Sequence, residues 1–99
     1  MAEIIWTAPA LNDLNEIAEY IALSNLHAAK KLTQKIFAKI TRLESHPESG
    51  RIPLELKNLN YREVIINPCR IFYKIDNEQV YILHVMRQER DLVNFILRS

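Results

Sequence analysis

The fold of this chain is decided by residues 61–91, which read YREVIINPCRIFYKIDNEQVYILHVMRQERD. They contain three apolar runs rich in aromatic and β-branched residues, a composition that favours β-strands. The runs are Tyr61–Ile66, Cys69–Ile75 and Val80–Arg87. Asn67-Pro68 separates the first run from the second, and the polar tetrad Asp76–Gln79 joins the second to the third. Short polar breaks between such runs predict consecutive antiparallel strands.

Both faces of this predicted sheet carry apolar side chains. Because successive side chains of a strand point to opposite faces, the first strand should place Arg62, Val64 and Ile66 on one face. In the third strand, alternation predicts one face with Tyr81, Leu83, Val85 and Arg87 and another with Ile82, His84 and Met86. Two apolar faces need two covers. We expect a helical hairpin on one face, and a tail or a partner protein on the other.

The residues before the predicted sheet indicate a strand and two helices. Glu3–Trp6 is a short apolar run, and Thr7 followed by Pro9 is typical of a helix start. Apolar residues then recur at spacings of three and four, which predicts amphipathic helices over Pro9–Leu23 and from Leu26 to near Ser45. Their short connection makes them an antiparallel hairpin. The first helix is acidic outside and the second basic, so we expect ion pairs between them.

The remaining segments have weaker patterns. Residues 46–53 contain two prolines and the chain's single glycine, Gly50, and are predicted to form a loop. Residues 54–60 show no clean period and are predicted to be irregular. The stretch Leu92–Leu97 is too apolar to stay free in water, and it suits a last helical turn or a short strand.

The composition indicates one soluble globular domain over residues 1–99. The chain is 48% hydrophobic and 25% charged, as is typical of such domains, and its length leaves no room for a second core. A net charge of +1 weighs against a protein held to nucleic acid mainly by charge. The sequence shows no secretion signal and no apolar run of the ~20 residues that a membrane span needs. We therefore expect a cytoplasmic protein without a membrane partner.

Few residues are candidates for catalysis or for cofactor binding. The single cysteine, Cys69, lies in an apolar run and is interpreted as part of the core. The three histidines lack metal-ligand spacing, and one glycine cannot build a phosphate-binding loop, so no metal or cofactor is expected. His84 is favoured as a packed core histidine over a catalytic base, although imidazoles are suited to acid–base chemistry near neutral pH.

Four arginines of the predicted sheet are the best candidates for binding, because neighbouring strands would bring them within reach of one another. They are Arg62, Arg70, Arg87 and Arg90. Guanidinium groups recognise phosphates and carboxylates through a planar fork. The equally weighted alternative is that these arginines are solvated, or that they pair with Glu63, Glu89 and Asp91.

A series of short motifs runs along almost the whole chain. The motifs are Trp6-Thr-x-x-Ala-x-x-Asp13-Leu14-x-x-Ile17-x-x-Tyr20-Ile21, Ala28-Ala29, Leu43-x-x-x-Pro47-x-x-Gly50-Arg51, Tyr61-Arg62-Glu63, Arg70-Ile-x-Tyr73 and Arg90-Asp91-Leu92. In this order and spacing the chain resembles the RelE/ParE superfamily of bacterial toxins. The resemblance implies an α+β fold of order β-α-α-β-β-β, with the helical hairpin on one face of a mainly antiparallel sheet. It also implies a toxin that forms a hetero-oligomer with a cognate antitoxin and is inactive while bound.

Two branches of that superfamily differ in activity. RelE-like members cleave mRNA on the ribosome, whereas ParE-like members inhibit DNA gyrase and are not known as nucleases. When the RelE-like pattern is laid over this chain, its catalytic tyrosine falls near Asn94 and one catalytic arginine falls near Gln88. An amide cannot act as a general base. With the nearly neutral charge, these departures favour the ParE-like branch, although many ParE-like chains have histidine near the position of Arg87.

Our first prediction is therefore a ParE-like inhibitor of DNA gyrase that is not an enzyme, and that contacts its target or antitoxin through the four arginines. The alternative is a RelE-like ribonuclease that acts on mRNA at the ribosome. In that case Arg62, Arg70 and Arg87 would stabilise the phosphate and His84 would serve as acid or base, which makes His84 and Arg87 the fallback catalytic residues. A third alternative is a divergent, non-toxic member that only binds its antitoxin.

Overall fold

The computed structural model of the chain describes residues 1–88, in which one strand and two helices precede three further strands. The strands are β1 (Glu3–Trp6), β2 (Arg62–Ile66), β3 (Cys69–Asp76) and β4 (Gln79–Arg87), and the helices are α1 (Ala8–Ala22) and α2 (Leu26–Thr41). Three short 3-10 turns, Arg42–Glu44, Pro47–Ser49 and Leu54–Leu56, lie between α2 and β2. The predicted order of elements is confirmed.

Within residues 1–88 the strands form one mixed sheet in the order β1-β4-β3-β2. β2, β3 and β4 make the predicted antiparallel meander. β1 pairs in parallel with β4, from Glu3 opposite Gln79 to Trp6 opposite Ile82. A parallel pair needs a long crossover, which the helical hairpin begins. The sheet is mainly antiparallel, and the α+β class is confirmed.

Both helices begin with a side-chain N-cap, and the sequence indicated the first of these, Thr7. Thr7 Oγ1 accepts a hydrogen bond from Ala10 N at 3.4 Å, and Asn25 Oδ1 accepts one from Ala28 N at 3.0 Å. Each cap therefore satisfies an N–H that the first helical turn leaves without a partner. α2 tightens into a 3-10 turn just before its predicted end at Ser45. No helix within residues 1–88 combines the length and hydrophobicity needed to cross a membrane.

The helical hairpin packs on one face of the sheet, as predicted, and forms the main core with it. This core includes Ile36 and Ile40 of α2, Ile71 and Tyr73 of β3, and Ile82 and Val85 of β4. Each such buried side chain contributes about 1.5–3 kcal/mol relative to exposure in water. In contrast, the prediction of ion pairs between the helices is wrong: none joins α1 to α2 in residues 1–88. Exposed pairs gain little free energy, so the absence of such pairs costs the fold little.

A β-bulge in β4 changes the face on which its side chains lie. The register shifts between Phe72 and Tyr73 of β3, so that Leu83 of β4 has no residue opposite it. An extra residue reverses the alternation of the side chains that follow, and Ile82 and Val85 both join the main core. The prediction that placed these two on opposite faces is therefore wrong, because strict alternation assumes a strand without a bulge.

A segment predicted to be irregular covers part of the other face. Leu54–Leu56 forms a 3-10 turn that places Leu56 against Phe72 and Met86, and Tyr61 packs against this smaller cluster. The sequence predicts a tail or a partner for this role, whereas within residues 1–88 the turn provides it. The predicted tail, residues 92–97, lies outside the described residues.

β3 and β4 are joined by a two-residue turn, which confirms the hairpin predicted at Asp76–Gln79. Its central residues, Asn77 and Glu78, have φ values of 49° and 66°. Two consecutive left-handed residues are the type I′ arrangement, whose twist matches that of the flanking strands. The tight turn between β2 and β3 contains a cis peptide bond between Asn67 and Pro68.

Candidate functional site

A buried carboxylate lies on the sheet face that the Leu54–Leu56 turn covers. The side chain of Glu63 is 1% exposed. One of its oxygens accepts a hydrogen bond from Arg51 Nε at 2.8 Å and the other from Arg70 Nε at 2.7 Å. A buried carboxylate is stable only when such partners compensate for its lost hydration. Both arginines are therefore required by the fold itself.

Arg70 uses its whole guanidinium group for contacts inside the molecule. While its Nε donates to Glu63, its two terminal nitrogens donate to the carboxylate of Glu55 at 3.0 and 3.1 Å. The hydrogen bond from Arg70 lowers the pKa of Glu55, and the same bond raises the pKa of Arg70. Because Glu55 lies in the Leu54–Leu56 turn and Arg70 lies in β3, these two hydrogen bonds hold the turn against the sheet. The pairing with Glu63, one of the alternatives that the sequence left open, is present.

On the helix side of the sheet, a buried tyrosine holds the loop that follows α2. Tyr73 is fully buried; its hydroxyl donates to Pro47 O at 2.7 Å and accepts from Gly50 N at 2.9 Å. Burial raises the pKa of Tyr73, so the phenol keeps the proton that it donates. Arg62 lies opposite Tyr73 in the sheet and donates from one terminal nitrogen to Gly50 O at 2.8 Å and to Glu48 O at 3.1 Å.

Residues that carried the resemblance to the toxin superfamily thus form two hydrogen-bonded groups, which meet where Gly50 precedes Arg51 in the chain. Both groups join the loop to the sheet: one contains Pro47, Gly50, Arg62 and Tyr73, and the other contains Arg51, Glu63 and Arg70. Each member contacts another member by a hydrogen bond, and most of these contacts are inside the molecule. The spacing of these motifs is explained by the fold, and it does not by itself point to a site of chemistry.

The three described candidate arginines are dispersed, so the prediction that they lie together is wrong for them. Arg62 lies opposite Tyr73 and Arg87 opposite Cys69; these β3 positions are four residues, or about 13 Å, apart. Arg70 is on the other face, because neighbouring residues of a strand alternate. Arg87 Cζ lies 5.2 Å from the ring centre of Tyr20 on α1, a cation–π contact. Arg90 lies outside the described residues.

His84 is held by a carboxylate from the first helix. Its Nδ1 lies 3.0 Å from Asp13 Oδ2, which also accepts a hydrogen bond from Val85 N at 3.1 Å. Asp13 thereby binds both the imidazole and the backbone of β4 beside the bulge. A carboxylate that fixes one ring nitrogen orients the imidazole, as acid–base catalysis requires. The same contact also has a purely structural effect, since it joins α1 to β4, an inner strand of the sheet.

His84 borders a cavity of about 350 Å³ with mainly apolar walls. The walls are formed by Thr7, Pro9, Leu56, Tyr61, Phe72 and Leu83. No arginine or lysine belongs to these walls within residues 1–88, so the described part of the cavity offers no cation for a phosphate. Cys69 is fully buried, as predicted. Residues 1–88 contain no group of three or more His, Cys, Asp or Glu side chains that could hold a metal ion.

Comparison with known protein families identifies the chain. Residues 4–92 match the model of a family described as the ParE toxin of the type II toxin–antitoxin system parDE. The chain belongs to the ParE toxin family. The sequence resemblance to the RelE/ParE superfamily is thereby confirmed, and this ParE-family chain is a toxin of the type II toxin–antitoxin class.

Relatives of this ParE-family toxin bear names from both branches of the superfamily. It is 31% identical over 91 residues to Toxin RelE2 of Caulobacter vibrioides, which covers 91% of this chain and 99% of that protein. Its fold matches that of the chromosomal ParDE system of P. aeruginosa, with a TM-score of 0.75 and 23% identity over 90% of this chain and 98% of the other. It also matches the toxin–antitoxin complex RelBE2 of Mycobacterium tuberculosis, with a TM-score of 0.58 and 20% identity over 88% and 98% of the two chains. These two structures establish the fold.

Sequence reasoning assigned no role to two residues that organise the site of this toxin. Asp13 binds His84 across 71 residues of chain, and Glu55 binds Arg70 across 15. Neither sequence separation matches the three- or four-residue spacing of a helix or the two-residue spacing of a strand, so the sequence pattern does not predict these pairs. Asp13 was visible as part of a motif on α1, whereas Glu55 lies in a segment without a pattern.

Proposed function

We propose that this toxin acts by binding DNA gyrase, as the ParE-like branch does, and that a cognate antitoxin neutralises it. The dispersion of the arginines supports this function over RNA cleavage. Cleavage needs cations and an acid or base that converge on one phosphate. Arg62 and Arg87 lie at opposite ends of the strands, and Arg70 already binds two carboxylates. Arg87 lies over the ring of Tyr20, a side chain that is largely exposed, and it is our leading candidate for target contact.

The antitoxin is proposed from exposed apolar surface as well as from family membership. At the tip of the helical hairpin, Tyr20 is 62% exposed, Leu23 85% and Leu26 58%. Clustered exposed apolar side chains of this size are typical of interaction surfaces. We expect the toxin and antitoxin to form a stable hetero-oligomer in the cytoplasm. Expression without the antitoxin should arrest growth, whereas normal growth would favour the non-toxic alternative.

Purified gyrase provides the direct test. The toxin should inhibit supercoiling of relaxed plasmid in a concentration-dependent manner, and Arg87→Ala should weaken inhibition by about tenfold, because one charge-assisted contact is worth about 1.5–3 kcal/mol. Lys57→Ala, at an exposed position of the loop before β2, is the matched control and should inhibit like the wild type. Undiminished supercoiling at saturating folded toxin would exclude gyrase as the target.

A RelE-like ribonuclease is the second candidate, and the contact between Asp13 and His84 favours it. An imidazole oriented at 3.0 Å by a carboxylate has the arrangement of a general acid or base. Under this function, toxin-dependent mRNA cuts should appear in a translation extract, and His84→Ala should abolish them while the toxin stays folded. Cuts that persist in both His84→Ala and Arg87→Ala would rule out this site.

A further inference from the structure

The two helices of the hairpin carry opposite charges on the side that faces away from the sheet. α1 contains three acidic residues and no lysine or arginine, whereas α2 contains four lysines and no acidic residue. Glu16, Glu19, Lys30 and Lys31 are all exposed, and none of them forms an ion pair within residues 1–88. Each helix therefore presents a charge that the described part of the same chain does not neutralise.

An apolar strip, which we call the outer seam, runs between these charges where α1 meets α2. A cavity of about 400 Å³ opens on it between Ala18 and Ala22 of α1 and Leu26 of α2. Seven residues are about two helical turns, and because the helices are antiparallel, Leu11 and Phe37 continue the seam beyond this cavity. Leu11 is 44% exposed and Phe37 39%. Large apolar side chains grouped on a surface in this way are typical of an interface.

The charge pattern indicates what covers the outer seam. A second copy of the chain can face the hairpin through a two-fold axis that is either parallel to the helices or perpendicular to them. The parallel axis places α1 of one copy over α2 of the other, so that acidic residues face basic ones. The perpendicular axis places each helix over its own counterpart, where like charges repel. The hairpin is therefore complementary to a copy of itself in the first arrangement only.

We propose that two copies of this toxin associate through the outer seam, with their hairpins packed face to face as an antiparallel four-helix bundle. Glu19 and Lys30 line the same cavity and so lie at the same position along the hairpin. The two-fold axis then brings Glu19 of each copy opposite Lys30 of the second copy. A two-fold interface repeats every contact, so this ion pair forms twice, and Leu11 and Phe37 are covered between the pairs.

The size of the hairpin sets the strength of this association. A helix of 15 residues, the length of α1, is about 22 Å long and about 10 Å wide, so two helices present a face of about 450 Å² per copy. Stable complexes bury about 800 Å² per partner. The dimer should therefore be weak, with a Kd on the order of 10–100 μM, and should form only when the free toxin is concentrated.

Analytical ultracentrifugation of the full-length toxin at low salt tests the proposal. Between about 1 μM and 1 mM, the average mass should rise from that of one copy toward that of two. Glu19→Lys and Lys30→Glu should each raise the Kd about tenfold, because each turns two attractive contacts into repulsive ones. The double variant Glu19→Lys/Lys30→Glu exchanges the charges of both pairs. It should dimerise within about twofold of the wild type, as only pairing between these two positions allows.

Matched controls separate the outer seam from the rest of the surface. Leu11→Gln, on the seam, should raise the Kd at least about tenfold because it removes an apolar contact from both halves of the interface. Leu54→Gln and Lys57→Glu repeat these changes of side-chain type at exposed positions outside the hairpin, and both should dimerise like the wild type. Circular dichroism checks that every variant is folded.

Three results would overturn the proposal. The first is a folded wild-type toxin that remains monomeric up to about 1 mM. The second is a dimer that Leu11→Gln and the single charge reversals leave unchanged, which would place the interface elsewhere. The third is a double variant that stays as weak as the single reversals, which would mean that Glu19 does not face Lys30 of the second copy.

Discussion

At the scale of single residues, Gly50 is required by close packing and not by its backbone conformation. Its φ of −70° and ψ of 152° are extended values that any residue adopts. A Cβ at this position would lie 2.6 Å from Tyr73 Cε1 and 2.8 Å from Glu63 O, and closer still to the Tyr73 hydroxyl. The glycine therefore lets the loop approach the buried tyrosine closely enough for both hydroxyl hydrogen bonds.

We predict that Gly50→Ala destabilises the fold by about 2–4 kcal/mol, because the tyrosine must move and its buried partners lose their hydrogen bonds. Chemical denaturation monitored by circular dichroism measures this free energy of unfolding. Ser49→Ala, at the neighbouring exposed position, is the control and should change stability by less than about 0.5 kcal/mol. A Gly50→Ala variant as stable as the wild type would show that the loop relaxes freely.

At the scale of elements, the Leu54–Leu56 turn has no helical or strand period of its own and is held by side-chain contacts. Leu56 packs against Phe72 and Met86, and Glu55 accepts the fork of Arg70. Sequence patterns did not predict this turn because the contacts that hold it come from strands far along the chain.

The Glu55 contact should make stability depend on pH. Pairing with Arg70 lowers the pKa of Glu55 below its ordinary value of 4.5, so its stabilising contribution is present above that value and is lost as pH falls through the folded pKa. Glu55→Gln should therefore lose less stability than the wild type as the pH is lowered below 4.5, as seen in urea midpoints measured across the acid range. Glu16→Gln, at an exposed position of α1, should follow the wild-type curve. Parallel curves for all three proteins would contradict the role of this pair.

The β3–β4 turn offers a stabilising substitution. Glu78 has a φ of 66°, and a left-handed conformation costs a residue with a Cβ about 1 kcal/mol or more relative to its usual regions. Glu78→Gly should raise the free energy of unfolding by up to about 1 kcal/mol, because asparagine followed by glycine suits a type I′ turn. Thermal unfolding checks this. The control, Asp76→Gly, lies within β3 and should lower stability by roughly 0.5–1 kcal/mol; a loss in both variants would mean that Glu78 has contacts of its own.

At the scale of the whole molecule, the sequence predicted the elements better than the site. Helices and strands follow from local periodicity, so α1, α2 and the three-strand meander were predicted nearly to their ends. The bulge at Leu83 was not predicted, because it depends on how β4 pairs with β3 and not on the sequence of β4 alone. The dispersion of Arg62, Arg70 and Arg87 follows from the register in which β2 and β4 pair with β3. The sequence of one strand does not reveal how it pairs with its neighbours. The contact between Asp13 and His84 joins residues from opposite ends of the described chain, and local spacing carries no information about it.

The parallel pairing of β1 with β4 has a consequence for when the sheet can form during synthesis. Gln79 donates a hydrogen bond to Glu3 across 76 residues of chain, and Thr7 donates one to the carbonyl of Ile82. β1 therefore cannot pair with β4 until the ribosome has made residues 79–82, close to the end of the described chain. Contacts at such separation form late and slowly. The sheet of a nascent toxin is thus incomplete for most of its translation, and a partner that is already present can meet the chain as it completes that sheet.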